Sequence, residues 1–198
     1  MSKIKVVTIG RSYCSGGCDI GKLTADKLGV KCYDREIIEM AAQKSGISMA
    51  DIKKYEEAVL SPLKTPINLF GRDKDISITE KIFAAETEVI YDITSKEECV
   101  IVGRCADFIL KNRVKTLDVF IYSSFEKRLQ TAMDKHGIAY EEVESRLKRY
   151  DKKRADFYNT NTNKKWGEMS SYDICLNSGK LGYERCSDII CEIVRGYV

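Results

Sequence analysis

The sequence predicts an α/β protein in which helices cover both faces of a parallel sheet. Three observations lead to this fold class. Short β-branched runs recur along the chain, helical patterns separate them, and no repeat or low-complexity segment interrupts the alternation. Parallel neighbours need a long crossover, usually a helix, so this alternation is typical of βα units. A chain of 198 residues is long enough to form one such domain with a sizeable core.

Five segments are predicted as strands because each is short, apolar and bounded by glycine, charge or a turn signal. They are residues 4–9 (IKVVTI), 30–34 (VKCYD), 99–103 (CVIVG), 116–122 (TLDVFIY) and 172–178 (YDICLNS). The first, with its β-branched residues, is predicted to be a buried strand.

Helical patterns lie between and after these strands. They are residues 19–28, 35–46, 46–60, 77–96, 105–111, 124–136, 139–163 and 183–198. Gly29 fits a C-terminal cap and Ser48 an N-cap, while Ser77 followed by Glu80 has the spacing of a capping box. Residues 61–77, which hold both prolines, are predicted to be irregular.

Composition narrows the class of function. With 33 basic and 30 acidic residues the net charge is +3, which gives no general argument for binding nucleic acid. No apolar run approaches the ~20 residues of a membrane span, and no signal-peptide pattern opens the sequence. A cytoplasmic protein with eight reduced cysteines is therefore expected. A zinc site is not expected, because there is no CxxC pair and His136 is the one histidine.

The segment GRSYCSGGCDIGK, residues 10–22, lies between the first strand and the first helix. Small residues at such a junction aim several backbone N–H groups at one point, where an anion binds. Against the phosphate-loop pattern G-x-x-x-x-G-K-[ST], the lysine position holds a cysteine and the Ser/Thr position an aspartate. The candidate donor-binding residues are Arg11, Ser12, Tyr13, Cys14, Ser15, Gly16, Gly17, Cys18 and Asp19. The alternative is a tight turn in which glycine serves only to reach positive φ.

A basic run, RLKRYDKKR at 146–154, has six basic residues and one acid, Asp151. Its arginines are Arg146, Arg149 and Arg154, and arginine suits bidentate contacts with phosphate. Such side chains would stabilise the charge that develops during phosphoryl transfer. The alternative is a solvated helix face.

Two further candidates follow predicted strands. Ligands of open parallel sheets bind beyond the carboxyl ends of the strands, where Asp34 follows the second strand and Gly103 and Arg104 the third. A carboxylate at position 34 would hold Mg²⁺ through water or orient an acceptor hydroxyl. The alternative for these side chains is ordinary surface pairing.

In this order, four segments resemble those of cytidylate-kinase-like proteins, a branch of the nucleoside monophosphate kinases. They are VVTIGRSYCSGGCDIGKLTADKLGVKCYDREIIEMAAQKSG, VIVGRCADFIL, RYDKKRADFY and YDICLNSGKLG, within a resemblance that runs from residue 4 to about 195. The resemblance implies one P-loop kinase domain over 1–198, with a five-stranded parallel sheet, an acceptor-binding segment at about 35–97 and a helical lid at about 139–168. It also implies ATP or another nucleoside triphosphate as donor, Mg²⁺, and a small-molecule acceptor.

The resemblance also implies roles for individual residues. Asp34 matches the aspartate near the metal and acceptor, and Gly103 with Arg104 matches the pair that approaches the acceptor phosphate. Asp19, at the Ser/Thr position of the loop, is a second candidate metal ligand. Three residues match the lid pattern R-x-D-x-x-R, whose arginines grip the phosphates: Arg149, Asp151 and Arg154.

The sequence departs from this family at two positions. Cys18 stands where cytidylate kinases have the loop lysine, and Cys105 stands where they carry an aspartate that helps to read the acceptor. Arg11 or Lys22 would supply the missing charge, and Arg11 is favoured because it belongs to the loop. A redox switch between Cys14 and Cys18 is a further hypothesis, since a helix N-terminus is expected to lower the pKa of Cys18.

The favoured function is transfer of the γ-phosphoryl group of a nucleoside triphosphate to a small acceptor, possible acceptors including nucleoside monophosphates such as CMP. The alternative is a nucleotide-binding or sensing protein that kept the loop after losing its lysine. Nucleic-acid binding through the basic run is a weaker third hypothesis, and the oligomeric state is left open.

Overall fold

The computed structural model describes residues 3–48, 50 and 78–196. Most of the helix predicted at 46–60, the irregular segment at 61–77 and the Ser77 cap lie outside the described residues. The chain divides into two compact units, one formed by Met1–Asp34 with Thr94–Val198 and the other by Arg35–Ile93.

The first unit contains a sheet of five parallel strands. The strands are β1 Val6–Arg11, β2 Lys31–Tyr33, β3 Cys99–Val102, β4 Thr116–Tyr122 and β5 Ile174–Asn177. Their order across the sheet is β2-β3-β1-β4-β5, so the chain leaves β1 for β2 on one side and later crosses to β4 on the other. The loop after β1 therefore opens at the point where the strand order reverses, which is where open parallel sheets bind ligands. The predicted fold class is confirmed.

The helices are described with the unit to which they belong. Those of the first unit are α1 Gly17–Leu28, α4 Ala106–Ile109, α5 Phe125–His136, α6 Tyr140–Thr162, α7 Ser178–Leu181 and α8 Tyr183–Arg195, with a 3₁₀ turn at Met169–Ser171. The second unit contains α2 Glu36–Ser45 and most of α3 Ile78–Lys96. The predicted cap at Gly29 is confirmed, with φ of 69°. Ser124 caps α5, its side chain accepting from the backbone N–H of Lys127 at 3.3 Å.

Strand alternation separates the two faces of the sheet. One face carries the main core, in which Ile9 and Val119 pack with Ile20 of α1 and Ile190 of α8, all fully buried. Thr8 is buried too but is not part of this core cluster. A smaller core lies between α5 and α6; its buried members are Ala132, Ile138, Val143 and Leu147.

The second unit has its own small core of Ile38, Ala42 and Ile82. Lys44 of α2 is 2.8 Å from Asp92 of α3. In both units, none of the helices that the structure describes has the length and apolar character that a bilayer span requires.

A candidate phosphate-binding site at the carboxyl edge of the sheet

Hydrogen bonds within the protein fix the loop between β1 and α1. The hydroxyl of Ser15 donates to the carbonyl oxygens of Ser12 at 2.8 Å and Ile121 at 3.0 Å. Ser178 in turn donates to the carbonyl oxygen of Ser15 at 2.6 Å. These contacts engage loop carbonyls from the protein side, so the loop is shaped before any ligand arrives. Such preorganisation is what an anion cradle of backbone N–H groups requires.

Glycine is needed at the end of this loop for space as well as for conformation. Gly16 has φ of 79°, and a Cβ atom there would lie 2.2 Å from Cζ of Tyr183. At Gly17 a Cβ atom would lie 2.5 Å from Cβ of Arg11. The alternative of a turn that uses glycine only for positive φ therefore does not account for Gly17.

The helix α6 contacts the loop through the predicted lid residues. Asp151 accepts the backbone N–H of Tyr13 at 2.7 Å, and Arg154 donates from Nη1 to the carbonyl oxygen of Arg11 at 3.1 Å. The Tyr13 ring stacks on Tyr150, with centroids 4.4 Å apart and planes 11° apart. Tyr13 and Cys14 also pack against the small core between α5 and α6. The structure thus brings Asp151 and Arg154 to the loop.

Arg128 of α5 completes this contact, and no sequence motif pointed to it. Its Nη1 is 2.5 Å from Oδ2 of Asp151 and 3.1 Å from the carbonyl oxygen of Tyr13. The side chain is 11% exposed. Both backbone polar groups of Tyr13 are therefore held by this ion pair.

The arginines of the basic run occupy different sides of α6. Arg146 interacts with both Tyr13 and Tyr150, while Arg149 is exposed and lies over the Tyr150 ring at 5.8 Å. Residues 146, 150 and 154 are four apart and so share a helix face. Helical periodicity therefore favours Arg146 and Arg154 as loop neighbours, and Arg149 stays a prediction from the lid pattern.

The remaining predicted residues meet at the ends of β1, β2 and β3. Nη2 of Arg11 is 3.3 Å from Oδ1 of Asp34, and the two side chains are 17% and 24% exposed. Three consecutive residues have positive φ: Gly103 at 80°, Arg104 at 57° and Cys105 at 54°. A left-handed backbone costs a non-glycine residue about 1 kcal/mol or more, and such strain clusters where a side chain is held for function.

A cavity of about 60 Å³ lies beside these strand ends. Three arginines line it, Arg11, Arg104 and Arg154, together with Asp107 and Tyr158. The Tyr158 hydroxyl donates to Oδ2 of Asp107 at 2.6 Å, and burial raises the pKa of Asp107 despite this bond. The other aromatic lining residues are Phe157, Trp166 and Tyr172.

Electrostatics at the site favour an anion. Burial and the neighbouring Arg11 lower the pKa of Arg154 to about 10, so the Arg154 guanidinium stays charged at neutral pH. The repulsion between two like charges in a partly buried site decreases when an anion binds between them.

One electrostatic expectation was wrong. Burial raises the pKa of the Cys18 thiol, and so does Asp34; the opposing effect of Arg11 is smaller. Burial likewise raises the pKa of Cys14. Both thiols are free and protonated at neutral pH, so they lack the thiolate character that a reactive redox pair needs.

The candidate metal ligands lie in separate surroundings. Asp19 forms an exposed ion pair with Lys135 at 3.5 Å, and Lys135 lies over the Tyr183 ring at 4.5 Å. Asp34 pairs with Arg11 instead. No cluster of three or more His, Cys, Asp or Glu side chains suited to a metal occurs among residues 3–48, 50 and 78–196. A Mg²⁺ ion held in the usual way, by one or two carboxylates, water and substrate phosphates, does not need such a cluster.

The fold is that of the P-loop kinases. The chain belongs to the cytidylate kinase-like family, which it matches over residues 6–180. Family and fold together support a nucleotide-binding phosphotransferase in general terms. A search of curated proteins found no match.

Solved structures with the same fold cover almost the whole chain. An uncharacterized protein from Eubacterium ventriosum is 23% identical, with a TM-score of 0.73, over 98% of this chain and 99% of that one. The shikimate kinase from Acinetobacter baumannii, in complex with shikimate, is 15% identical, with a TM-score of 0.56 over 98% and 94% of the two chains. The shikimate kinase from Aquifex aeolicus is 20% identical, with a TM-score of 0.52 over 98% of each chain.

Proposed function

We propose that the protein transfers the γ-phosphoryl group of ATP, or of another nucleoside triphosphate, to a small phosphate-bearing or hydroxylated acceptor. A nucleoside monophosphate such as CMP is one candidate. The observation that carries this proposal is the convergence of three arginines on one cavity next to a preformed phosphate loop. Such a site neutralises phosphate charge, which is most of what phosphoryl transfer asks of a protein.

On the donor side, backbone N–H groups among residues 14–19 and the N-terminus of α1 would hold the triphosphate. The N–H of Tyr13 is already engaged by Asp151, so Asp151 acts by positioning the loop. Arg154 would contact the transferring group, and Arg149 would join it if α6 moves towards the nucleotide. Mg²⁺ would be held by the phosphates and by Asp34 or Asp19, and it neutralises charge on the β- and γ-phosphates when bound.

On the acceptor side, Gly103 and Arg104 would place the acceptor at the cavity. The cavity is far smaller than the ~300–1,000 Å³ of sites that enclose a small molecule, so it would hold one group of the acceptor. The acceptor oxygen forms a bond to the γ-phosphorus while the bond to the bridging oxygen breaks and the diphosphate leaves. A hydroxyl acceptor also loses its proton, whereas a phosphate acceptor is already ionised.

A second candidate function is a nucleotide sensor without turnover, favoured by Cys18 at the lysine position. Release of ADP from ATP and Mg²⁺ across a panel of nucleoside monophosphates and small hydroxylated acids separates the two. Acceptor-dependent release supports the kinase, and tight ATP binding without turnover on any acceptor supports the sensor. Absence of both binding and turnover would refute both.

The acceptor role of Arg104 has its own test. We expect Arg104→Met to raise the acceptor KM about tenfold or more, since a hydrogen bond to a charged group contributes about 1.5–3 kcal/mol, while ATP affinity is kept. Lys111→Met is the matched control, because Lys111 is an exposed cation just beyond α4. An unchanged acceptor KM in Arg104→Met would contradict this assignment.

A further inference from the structure

Arg11 follows a path under the phosphate loop that two glycines leave open. A Cβ atom on Gly17 would lie 2.5 Å from Cβ and 2.8 Å from Cγ of Arg11. At the other end, a Cβ atom on Gly103 would lie 1.9 Å from Nη1 of Arg11. The side chain therefore runs from the start of α1 to the end of β3, and its guanidinium reaches the carboxyl edge of the sheet.

The Arg11 side chain passes Gly17, the residue before Cys18, and its guanidinium pairs with Asp34. The Arg11 charge opposes the rise in the pKa of the Cys18 thiol, and that thiol donates to the Asp34 carboxylate, the partner of Arg11. A positive charge is thus present near position 18, where the pattern of a phosphate loop has its lysine. Cysteine is small, and a lysine from position 18 would bring a second cation towards Arg11.

The hydrogen-bonding capacity of Arg11 is only partly used. Its Nε atom is buried, and no partner for it occurs in the part of the chain that the structure describes. The contact with Asp34 is a single one, from Nη2 at 3.3 Å. Burying a polar group without a partner is unfavourable, and a phosphate oxygen is the kind of acceptor that an arginine binds best. The like charge of Arg154 nearby favours an anion at the same place.

We propose that Arg11 is the donor-phosphate cation of this protein, replacing from the end of β1 the lysine that Cys18 lacks at the start of α1. The inference rests on the proposed function, because it assigns a residue to the donor phosphates of that site. Arg11 and residue 18 are then alternatives: one cation is needed, and either position supplies it. Lys22, the other cation considered from the sequence, is exposed on α1 and serves as a control.

The test is a cycle of variants in the full-length protein: Arg11→Met, Cys18→Lys, the double variant, and Lys22→Met. Isothermal titration with ATP and Mg²⁺, and separately with inorganic tripolyphosphate, gives the dissociation constants. We expect Arg11→Met to weaken both ligands roughly 10- to 100-fold, the usual effect of losing a charged hydrogen bond. Adding Cys18→Lys to Arg11→Met should raise the affinity for both ligands at least about tenfold above that of Arg11→Met. Cys18→Lys alone should not tighten binding. Lys22→Met stays within about twofold, as for an exposed charge.

Two results would overturn the inference while leaving the proposed function intact. In the first, the natural protein binds both ligands and Arg11→Met binds them equally well. In the second, the double variant binds no better than Arg11→Met. If Arg11→Met does not fold, as judged by thermal unfolding, Arg11→Gln keeps a donor to Asp34 without the charge and allows the same comparison. If the natural protein binds neither ligand, it is the proposed function itself that fails.

Discussion

Arg154 is predicted to lower the free energy of unfolding of the ligand-free protein, although it contributes to ligand binding. Its pKa falls from 12.5 to about 10 because burial and Arg11 disfavour the charged form. A base whose pKa is lowered in the folded state carries a free-energy penalty at neutral pH, here roughly 3 kcal/mol at 1.36 kcal/mol per pH unit. Arg154→Met removes this penalty, but it also removes the hydrogen bond to the Arg11 carbonyl and the contact over the Tyr13 ring at 5.5 Å. The hydrogen bond, from a charged donor, contributes about 1.5 kcal/mol, and the contact over the ring contributes about 0.5 kcal/mol.

The net expectation is a gain in stability of about 1 kcal/mol, which raises Tm by ~2–4 °C in a protein of this size. ATP at a hundred times its dissociation constant should stabilise the natural protein by about 2.7 kcal/mol, and this increment should be largely lost in Arg154→Met. Thermal unfolding with and without ATP and Mg²⁺ measures both effects. Arg149→Met is the matched control for ligand-free stability, where a change within about 0.5 kcal/mol is expected for an exposed side chain.

Two results would refute this reasoning. One is a loss of more than about 1 kcal/mol in ligand-free Arg154→Met, which would mean that the contacts of Arg154 outweigh the charge penalty. The other is an undiminished ATP increment, which would place Arg154 outside the binding site.

Three further predictions concern substitutions at single positions. Burial raises the pKa of Asp118 to about 6. A raised carboxyl pKa makes the folded state less stable as pH rises from about 4 to 6, so the stability advantage of Asp118→Asn should grow by about 1 kcal/mol between pH 5 and 7.5 in urea unfolding. An equal advantage at both pH values would contradict this. Asp151→Asn should lower the unfolding free energy by about 2 kcal/mol or more, because it leaves Arg128 partly buried without its counter-charge. The control Lys152→Met, at an exposed residue, should change the unfolding free energy by less than about 0.5 kcal/mol. Similar losses in both variants would count against the role of Asp151. Gly16→Ala should lower the unfolding free energy more than Gly29→Ala does, because both glycines have positive φ but only Gly16 faces the Tyr183 ring. Chemical denaturation of the two variants measures this difference. Equal losses would mean that conformation alone sets the glycine requirement.

Local patterns in the sequence were sufficient to predict the fold class and the positions of the strands. The five strands appear within about two residues of their predicted limits, because buried parallel strands are apolar runs that glycine or charge interrupts. The glycine cap of α1 and the serine cap of α5 are likewise local signals. The short helix at Ser178–Leu181 was not predicted, since four residues are too few for a periodic pattern.

The site was only partly predictable, because its contacts join distant parts of the chain. Small residues between a strand and a helix were enough to find the loop, yet Arg128 meets Asp151 only after α5 and α6 pack together. The lid pattern pointed to Arg149, whereas helical spacing from Arg154 points to Arg146. The pKa of Cys18 was misjudged because burial, which outweighs the effect expected of a helix N-terminus, is invisible in the sequence.

The most direct test of the central claim is phosphorus NMR of the natural protein with ATP, Mg²⁺ and one candidate acceptor at a time. We expect the γ-phosphorus signal of ATP to decrease while signals of ADP and of a phosphorylated acceptor increase together, and we expect Arg154→Met to abolish both changes. A protein that binds ATP but produces no phosphorylated product with any nucleoside monophosphate or small hydroxylated acid would contradict it.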